Sequence, residues 1–149
     1  MSLEEFWNQF LKETNRPLDT PMDYFSFGLE DTTKDYLCNL VLSGKKTATS
    51  SSYLGYEIDK EELPRVGELR IIMDSKNNPK CVIETKKVQI IPFRKMTFDL
   101  CRKEGEDESL DSWRNTHIAF FKEEGNILGY TFTEDMPIVF EEFEVIYMC

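Results

Sequence analysis

The chain has 149 residues, 40% hydrophobic and 13% aromatic, enough for one domain with its own core and no disulfide or metal staple. Acids outnumber bases 28 to 18, a formal net charge of -10, which argues against a nonspecific coat for long nucleic acid but leaves room for one nucleotide in a pocket. No apolar run reaches membrane-spanning length, and the N-terminus lacks the basic-then-apolar pattern of a signal peptide.

Leu3, Phe6, Trp7, Phe10 and Leu11 recur at helical spacing and predict an amphipathic helix that ends at Arg16-Pro17, with Trp7 read as core. A loop follows through Pro21. Tyr36, Leu37, Leu40 and Val41 form the stripe of a second helix, expected over about Thr33 to Ser43. Thr32-Thr33-Lys34-Asp35 resembles a capping arrangement at its start, and Gly44 stands where a left-handed C-cap is wanted. The acidic stretch to Pro64 reads as irregular, and Arg65-Val66-Gly67 as a turn.

Glu68 to Asp74 and Lys80 to Phe93 are strand-like, separated by the turn signal Ser75-Lys76-Asn77-Asn78-Pro79. Val82, Glu84, Lys86, Val88 and Ile90 share one parity, so the second of these strands is expected to bend or bulge. A short helix is expected over Phe98 to Lys103. Ser109 suits the N-cap of a helix carrying Leu110, Trp113, His117, Phe120 and Phe121 on one face, with Gly125 as its stop. The last strand is expected over Ile138 to Met148. The order helix, helix, strands, helices, strand describes an α+β domain around a small, strongly bent sheet or barrel with flanking helices.

Four cysteines, Cys38, Cys81, Cys101 and Cys149, are scattered and the chain has a single histidine. This pattern offers no metal site and reads as idle thiols in a reducing cytosol; no cofactor is expected. Gly44-Lys45-Lys46-Thr47 suggests a phosphate loop only superficially, because it follows a helix and lacks the upstream glycine.

The densest chemistry lies in Gly44-Lys45-Lys46-Thr47-Ala48-Thr49-Ser50-Ser51-Ser52. Lysine activates a hydroxyl only as the free amine, a form that burial and a neighbouring cation such as Lys45 favour and a carboxylate opposes. The alternative is a solvated cation pair at a helix end. Glu84 interrupts an apolar strand and faces either solvent or a barrel interior; Glu104 closes an apolar segment and is read as surface unless the fold buries it. His117 is read either as a hydrogen-bonded core or rim residue or as a catalyst.

These residues resemble a known family. Gly44-Lys45-Lys46-Thr47-Ala48-Thr49 matches the G-x-K-x-x-T signature of ASCH-domain proteins of the PUA-like superfamily. Leu63-Pro64-Arg65-Val66-Gly67-Glu68, Cys81-Val82-Ile83-Glu84-Thr85, Glu104-Gly105-Glu106-Asp107 and Ser109-Leu110-Asp111-Ser112-Trp113-Arg114 continue the likeness to its longer bacterial members. It spans roughly residues 24 to 148, which sets residues 1–23 apart as an N-terminal helix and loop extension to a domain over 24–149.

The resemblance implies a PUA-like barrel and, from small bacterial members, an amidohydrolase that removes the acetyl group of acetylcytidine. Carried over by position, the catalytic residues would be Lys46, Thr49 and Glu104. Lys45, Tyr53, Arg65, Glu84 and Phe93 are the candidate substrate-binding residues around them. In that expectation Lys46 takes the proton of Thr49, whose oxygen attacks the amide carbonyl. Glu104 then orients Lys46 or protonates the leaving amine, with backbone N–H groups of Ala48 to Ser50 holding the oxyanion. An ionised Glu104 opposes a free-amine Lys46, so Glu104 is expected either to be protonated or to exchange a proton with the lysine. Other family members resemble RNA binders or ribonucleases. The alternative is therefore an RNA- or nucleotide-binding module in which Tyr24, Tyr53, Tyr56 and Phe93 stack a base while Lys46 and Arg65 meet phosphate. The expected partner is a nucleoside or nucleotide, with RNA second and no membrane; the oligomeric state stays open.

Overall fold

The structure, a computed structural model, describes residues 1–148; the fourth cysteine, Cys149, lies outside the described residues. Helix α1 (Leu3–Glu13) and helix α2 (Asp31–Leu42) flank strand β1 (Tyr24–Phe25). Strand β2 (Ala48–Ser52) leads directly into helix α3 (Tyr53–Asp59). Strands β3 (Leu69–Met73) and β4 (Pro79–Pro92) precede the short helix α4 (Phe98–Cys101) and a single 3-10 turn, Arg102–Glu104. The long helix α5 (Leu110–Leu128) and strand β5 (Pro137–Met148) complete the chain.

One five-stranded sheet runs in the order β1-β3-β4-β5-β2. Only β1 and β3 pair in parallel. The pairing ends at β1 and β2, so the barrel is open. Its bend comes from β4, whose register against β5 shifts between Val82 and Ile83 and again between Thr85 and Lys87. These are the irregularities that the mixed parity of that strand predicted.

Alternation along the strands splits the core. Ile71, Met73 and Val82 face Phe6, Trp7, Phe10 and Leu11 of α1, while Ile72, Cys81, Ile83 and Phe143 face Phe27 and the Leu37, Cys38 and Val41 stripe of α2. An isolated helix as short as α1 is marginal in water. Burying its four apolar side chains, about 1.5–3 kcal/mol each, is what holds it on the sheet. The third cluster joins Ala48, Phe93, Met96 and Cys101 to Trp113 and Phe121 of α5 and to Met136, Ile138 and Phe140.

Several local readings change. The stretch after Ser52 is helical: the Ser52 hydroxyl accepts from the Gly55 amide at 3.3 Å, so one serine ends a strand and caps a helix. Helix α2 starts at Asp31 behind Glu30, which makes no side-chain cap bond, rather than at a threonine cap. Gly125 does not stop α5, which ends instead at Gly129 in the left-handed region, φ 97. Gly125 is there for contact, because a Cβ on it would strike the Tyr130 carbonyl oxygen. Strand β1 has two residues, too few to show any alternation.

Candidate functional site

Two backbone devices bring distant segments together. At the end of α2, Gly44 takes φ +81, its amide reaches the Val41 carbonyl at 3.1 Å and the Lys45 amide reaches Leu40 at 3.0 Å. This is the paired closure of a Schellman motif, and it aims the chain into β2 with Lys46 turned inward. Opposite it, the 3-10 turn closes on Gly105, also left-handed at φ +76, and a Cβ there would strike the Lys45 carbonyl oxygen. The Thr47 amide donates to Lys103 O at 2.8 Å, locking the two segments edge to edge.

Glu104 is therefore buried, 1% exposed. Its Oε2 accepts from the Trp113 indole Nε1 at 2.7 Å and from the Ser50 hydroxyl at 2.8 Å. Its Oε1 lies 3.4 Å from His117 Nε2 and 3.8 Å from Lys46 Nζ. Burial is the largest influence on this carboxyl and pushes its pKa up. The His117 hydrogen bond, the Lys46 and His117 charges and the Ser50 hydroxyl together outweigh it, leaving Glu104 below its ordinary value. His117 mirrors it: burial pushes its pKa down, and the Glu104 hydrogen bond and charge, the Trp113 carbonyl and the charge of Glu106 carry it above its ordinary value. Both shifts have one origin, the contact between the Glu104 carboxyl and the His117 imidazole.

Lys46 is 2% exposed. Its Nζ donates to Glu106 Oε2 at 2.7 Å and sits 5.4 Å from the centre of the Phe27 ring, a cation on an aromatic face. A cleft of about 140 Å³ opens beside it, lined among others by Lys46, Thr49, Ser50, Glu104, Glu106 and His117, with Phe27 and Phe120 as its apolar walls. The hydroxyls of Thr49 and Ser50, one amine, two carboxylates and one imidazole thus converge on one small space. Among the described residues no group of three or more His, Cys, Asp or Glu side chains is arranged to hold a metal ion.

The cleft brings together Lys46, Thr49 and Glu104, and none of the five candidate substrate-binding residues is among its lining. Lys45 is exposed and Tyr53 opens α3. Arg65 pairs with Glu62 on the surface, its side chain 72% exposed. Glu84 takes the solvent side of its alternative, bonded to Lys86 Nζ at 3.1 Å. Phe93 is fully buried, its ring 5.2 Å from that of Trp113; Trp113 in turn stacks on His117 at 4.2 Å. Phe93 thus supports the residue that holds Glu104. Of the other aromatics, Tyr24 borders a separate groove near Arg70, and the Tyr56 hydroxyl lies 3.3 Å from that of Ser51.

Sequence reading missed Glu106, Ser50 and the indole donor of Trp113. Trp113 and His117 are four apart on one helix face, and that spacing was the available signal. None of the three described cysteines lines the cleft. Cys38, Cys81 and Cys101 are buried, and burial pushes the Cys101 thiol up to about 11.

The fold and the site define a PUA-like α+β domain with an open, bent sheet and a lysine–threonine–glutamate cleft beneath its long helix. The family model of the ASCH domain matches residues 23–147, and the chain belongs to that family. The crystal structure of a protein from Enterococcus faecalis V583, family-model DUF984, superposes with a TM-score of 0.91 at 37% identity, covering 98% of this chain and 88% of that one. An ASCH domain from Lactobacillus crispatus JV V101 superposes with a TM-score of 0.86 at 27% identity, covering 99% and 96%. No curated protein matches the chain at a significant level. No helix among the described residues is long and apolar enough to cross a membrane.

Proposed function

We propose that this chain is an amidohydrolase that cleaves the acyl amide of an acylated nucleoside such as acetylcytidine, with Lys46, Thr49 and Glu104 as the working residues. The observation that carries the reading is the shared cleft: residues 46, 49 and 104 line one space, although more than fifty positions separate the first from the last. In this reading the Thr49 hydroxyl attacks the amide carbonyl and gives its proton to Lys46. The C–N bond breaks as the Glu104 side delivers a proton to the amine, and water then releases the acyl group from threonine.

The arrangement also supports a reason for the burial of Glu104. A carboxylate that receives two hydrogen bonds on Oε2 is fixed in orientation, and only Oε1 is left to work. The pairing of Lys46 with Glu106 is the resting arrangement; as a base, Lys46 must exchange that partner for Thr49.

The same pairing favours a second reading, a nucleotide- or RNA-binding module. A lysine facing two carboxylates is arranged as an ammonium, which recognises a carbonyl or a phosphate without removing a proton. Incubation with acetylcytidine separates the two. The amidohydrolase reading expects cytidine and acetate from the wild-type chain and neither from Lys46→Ala. Equal yields from both, or no yield from either, overturn it for this substrate. Retention of short RNA that weakens along a salt series, with no hydrolysis, is the outcome of the binding reading.

A further inference from the structure

We propose that His117 is a positioning residue of the cleft, the store of the proton that Glu104 passes to the leaving amine. This rests on the amidohydrolase reading above. His117 Nδ1 lies 2.9 Å from the Trp113 carbonyl oxygen, and a carbonyl only accepts, so Nδ1 carries a hydrogen. A neutral ring would then present the bare lone pair of Nε2 to Glu104 Oε1 at 3.4 Å. Two acceptors face each other there unless a proton lies between them. The pair holds that proton in either form, imidazolium with carboxylate or imidazole with carboxylic acid.

Oε1 is the better place for the proton on Glu104. Oε2 already accepts from Trp113 Nε1 and Ser50 Oγ, and protonating it would displace one of those donors. The mobile proton thus belongs at the Oε1 edge, the edge that Lys46 also faces.

The charges around His117 suit the store. Glu104 and Glu106 approach from the turn before α5, Lys46 from the entry to β2, and the Trp113 carbonyl from its own helix. Two carboxylates outweigh one imidazolium, and Lys46 supplies the second positive charge only when it is protonated. Trp113 stacks on the ring with an interplanar angle of 22°, which fixes its plane, and only 7% of His117 is exposed.

The proton ledger of the reaction closes with this store. In acylation Lys46, as free amine, takes the proton of Thr49. The electron pair of the breaking C–N bond stays on nitrogen, which receives the proton held by the His117–Glu104 pair through Oε1. In deacylation water attacks the acyl carbon and its proton refills the pair. The C–O bond to Thr49 breaks, and Lys46 returns its proton to the threonine oxygen. No external acid is required.

Because the chain has one histidine, imidazole NMR of protein labelled at histidine reads this site alone. The proposal expects Nδ1 to stay protonated throughout and Nε2 to titrate, with a midpoint above the usual value of about 6.5. Glu104→Gln should lower that midpoint by one pH unit or more. Where Glu104→Gln does not fold, the wild-type tautomer and midpoint decide. A wild-type midpoint at or below the usual value, or an Nδ1 that loses its proton, overturns the pair. On acetylcytidine, wild-type kcat should fall as pH rises through the midpoint seen by NMR. His117→Gln should lower kcat tenfold or more, leave KM within twofold and lose that alkaline limb. Hydrolysis without the limb refutes the role of His117 and leaves the amidohydrolase reading standing. A raised midpoint with no hydrolysis at any pH refutes that reading and the delivery step, and leaves the proton pair standing.

Discussion

Thr49 and Ser50 are neighbours on β2, both line the cleft and both carry a hydroxyl, yet they should fail in opposite ways when changed to alanine. The Ser50 hydroxyl donates to Glu104 at 2.8 Å, and a hydrogen bond to a charged acceptor contributes about 1.5–3 kcal/mol. Glu104 is almost completely buried, so water does not replace the missing donor freely. The Trp113 indole still serves the same oxygen, which sets the loss at the low end, about 1.5 kcal/mol. No hydrogen bond to the Thr49 hydroxyl exists among the described residues, so Thr49→Ala forfeits mainly strand preference, within the roughly 1 kcal/mol span of that scale. Urea unfolding at neutral pH measures both changes. Ser50→Ala should lose more stability and keep measurable hydrolysis, whereas Thr49→Ala should lose less stability and nearly all hydrolysis. A loss below about 0.5 kcal/mol for Ser50→Ala, within the range of an ordinary surface change, would refute the assignment of Ser50 as an anchor of Glu104.

Gly105→Ala should destabilise well beyond Gly44→Ala. Both residues are left-handed, at about 1–2 kcal/mol for an L-residue, but only Gly105 also lies against backbone, whereas nothing stands within 4 Å of a Cβ on Gly44. Thermal unfolding should show a drop of about 2–4 °C per kcal/mol, and equal drops would contradict the close approach of the two segments. The pH dependence of stability follows from the signs of the two shifts. Glu104, lowered, stabilises above the usual carboxyl value of about 4.3 and loses that contribution as pH falls through its folded value. His117, raised, stabilises below the usual imidazole value of about 6.5 and loses its contribution as pH rises through its folded value. The stability gap between wild type and His117→Gln should therefore be widest between about pH 4.5 and 6.5 and shrink toward alkaline pH. A gap that stays flat across urea titrations at several pH values would remove the charged pair.

The long elements were legible because their signals are periodic. The α1 stripe, the bent β4 and the Ser109 cap of α5 each follow from spacing or from one capping residue. Helix α3 was hidden because its cap, Ser52, sits inside a hydroxyl run that reads equally well as loop or strand. The site divides along the same line. Lys46, Thr49 and Glu104 were legible through a motif. The partners that decide the state of Glu104 (Ser50, Trp113 and His117) meet only where β2 and α5 both come against the Arg102–Glu104 turn. Phe93 shows the reverse: an aromatic after a strand suggests a platform for a ligand, and the fold spends it beneath Trp113.

Whether Thr49 is the nucleophile of a hydrolytic cleft is decided by the rate of cytidine release from acetylcytidine by wild type and Thr49→Ala. The expected result is release by the wild-type chain and a rate lower by about a thousandfold or more in Thr49→Ala, as for removal of other hydroxyl nucleophiles. Equal rates for the two proteins would contradict it.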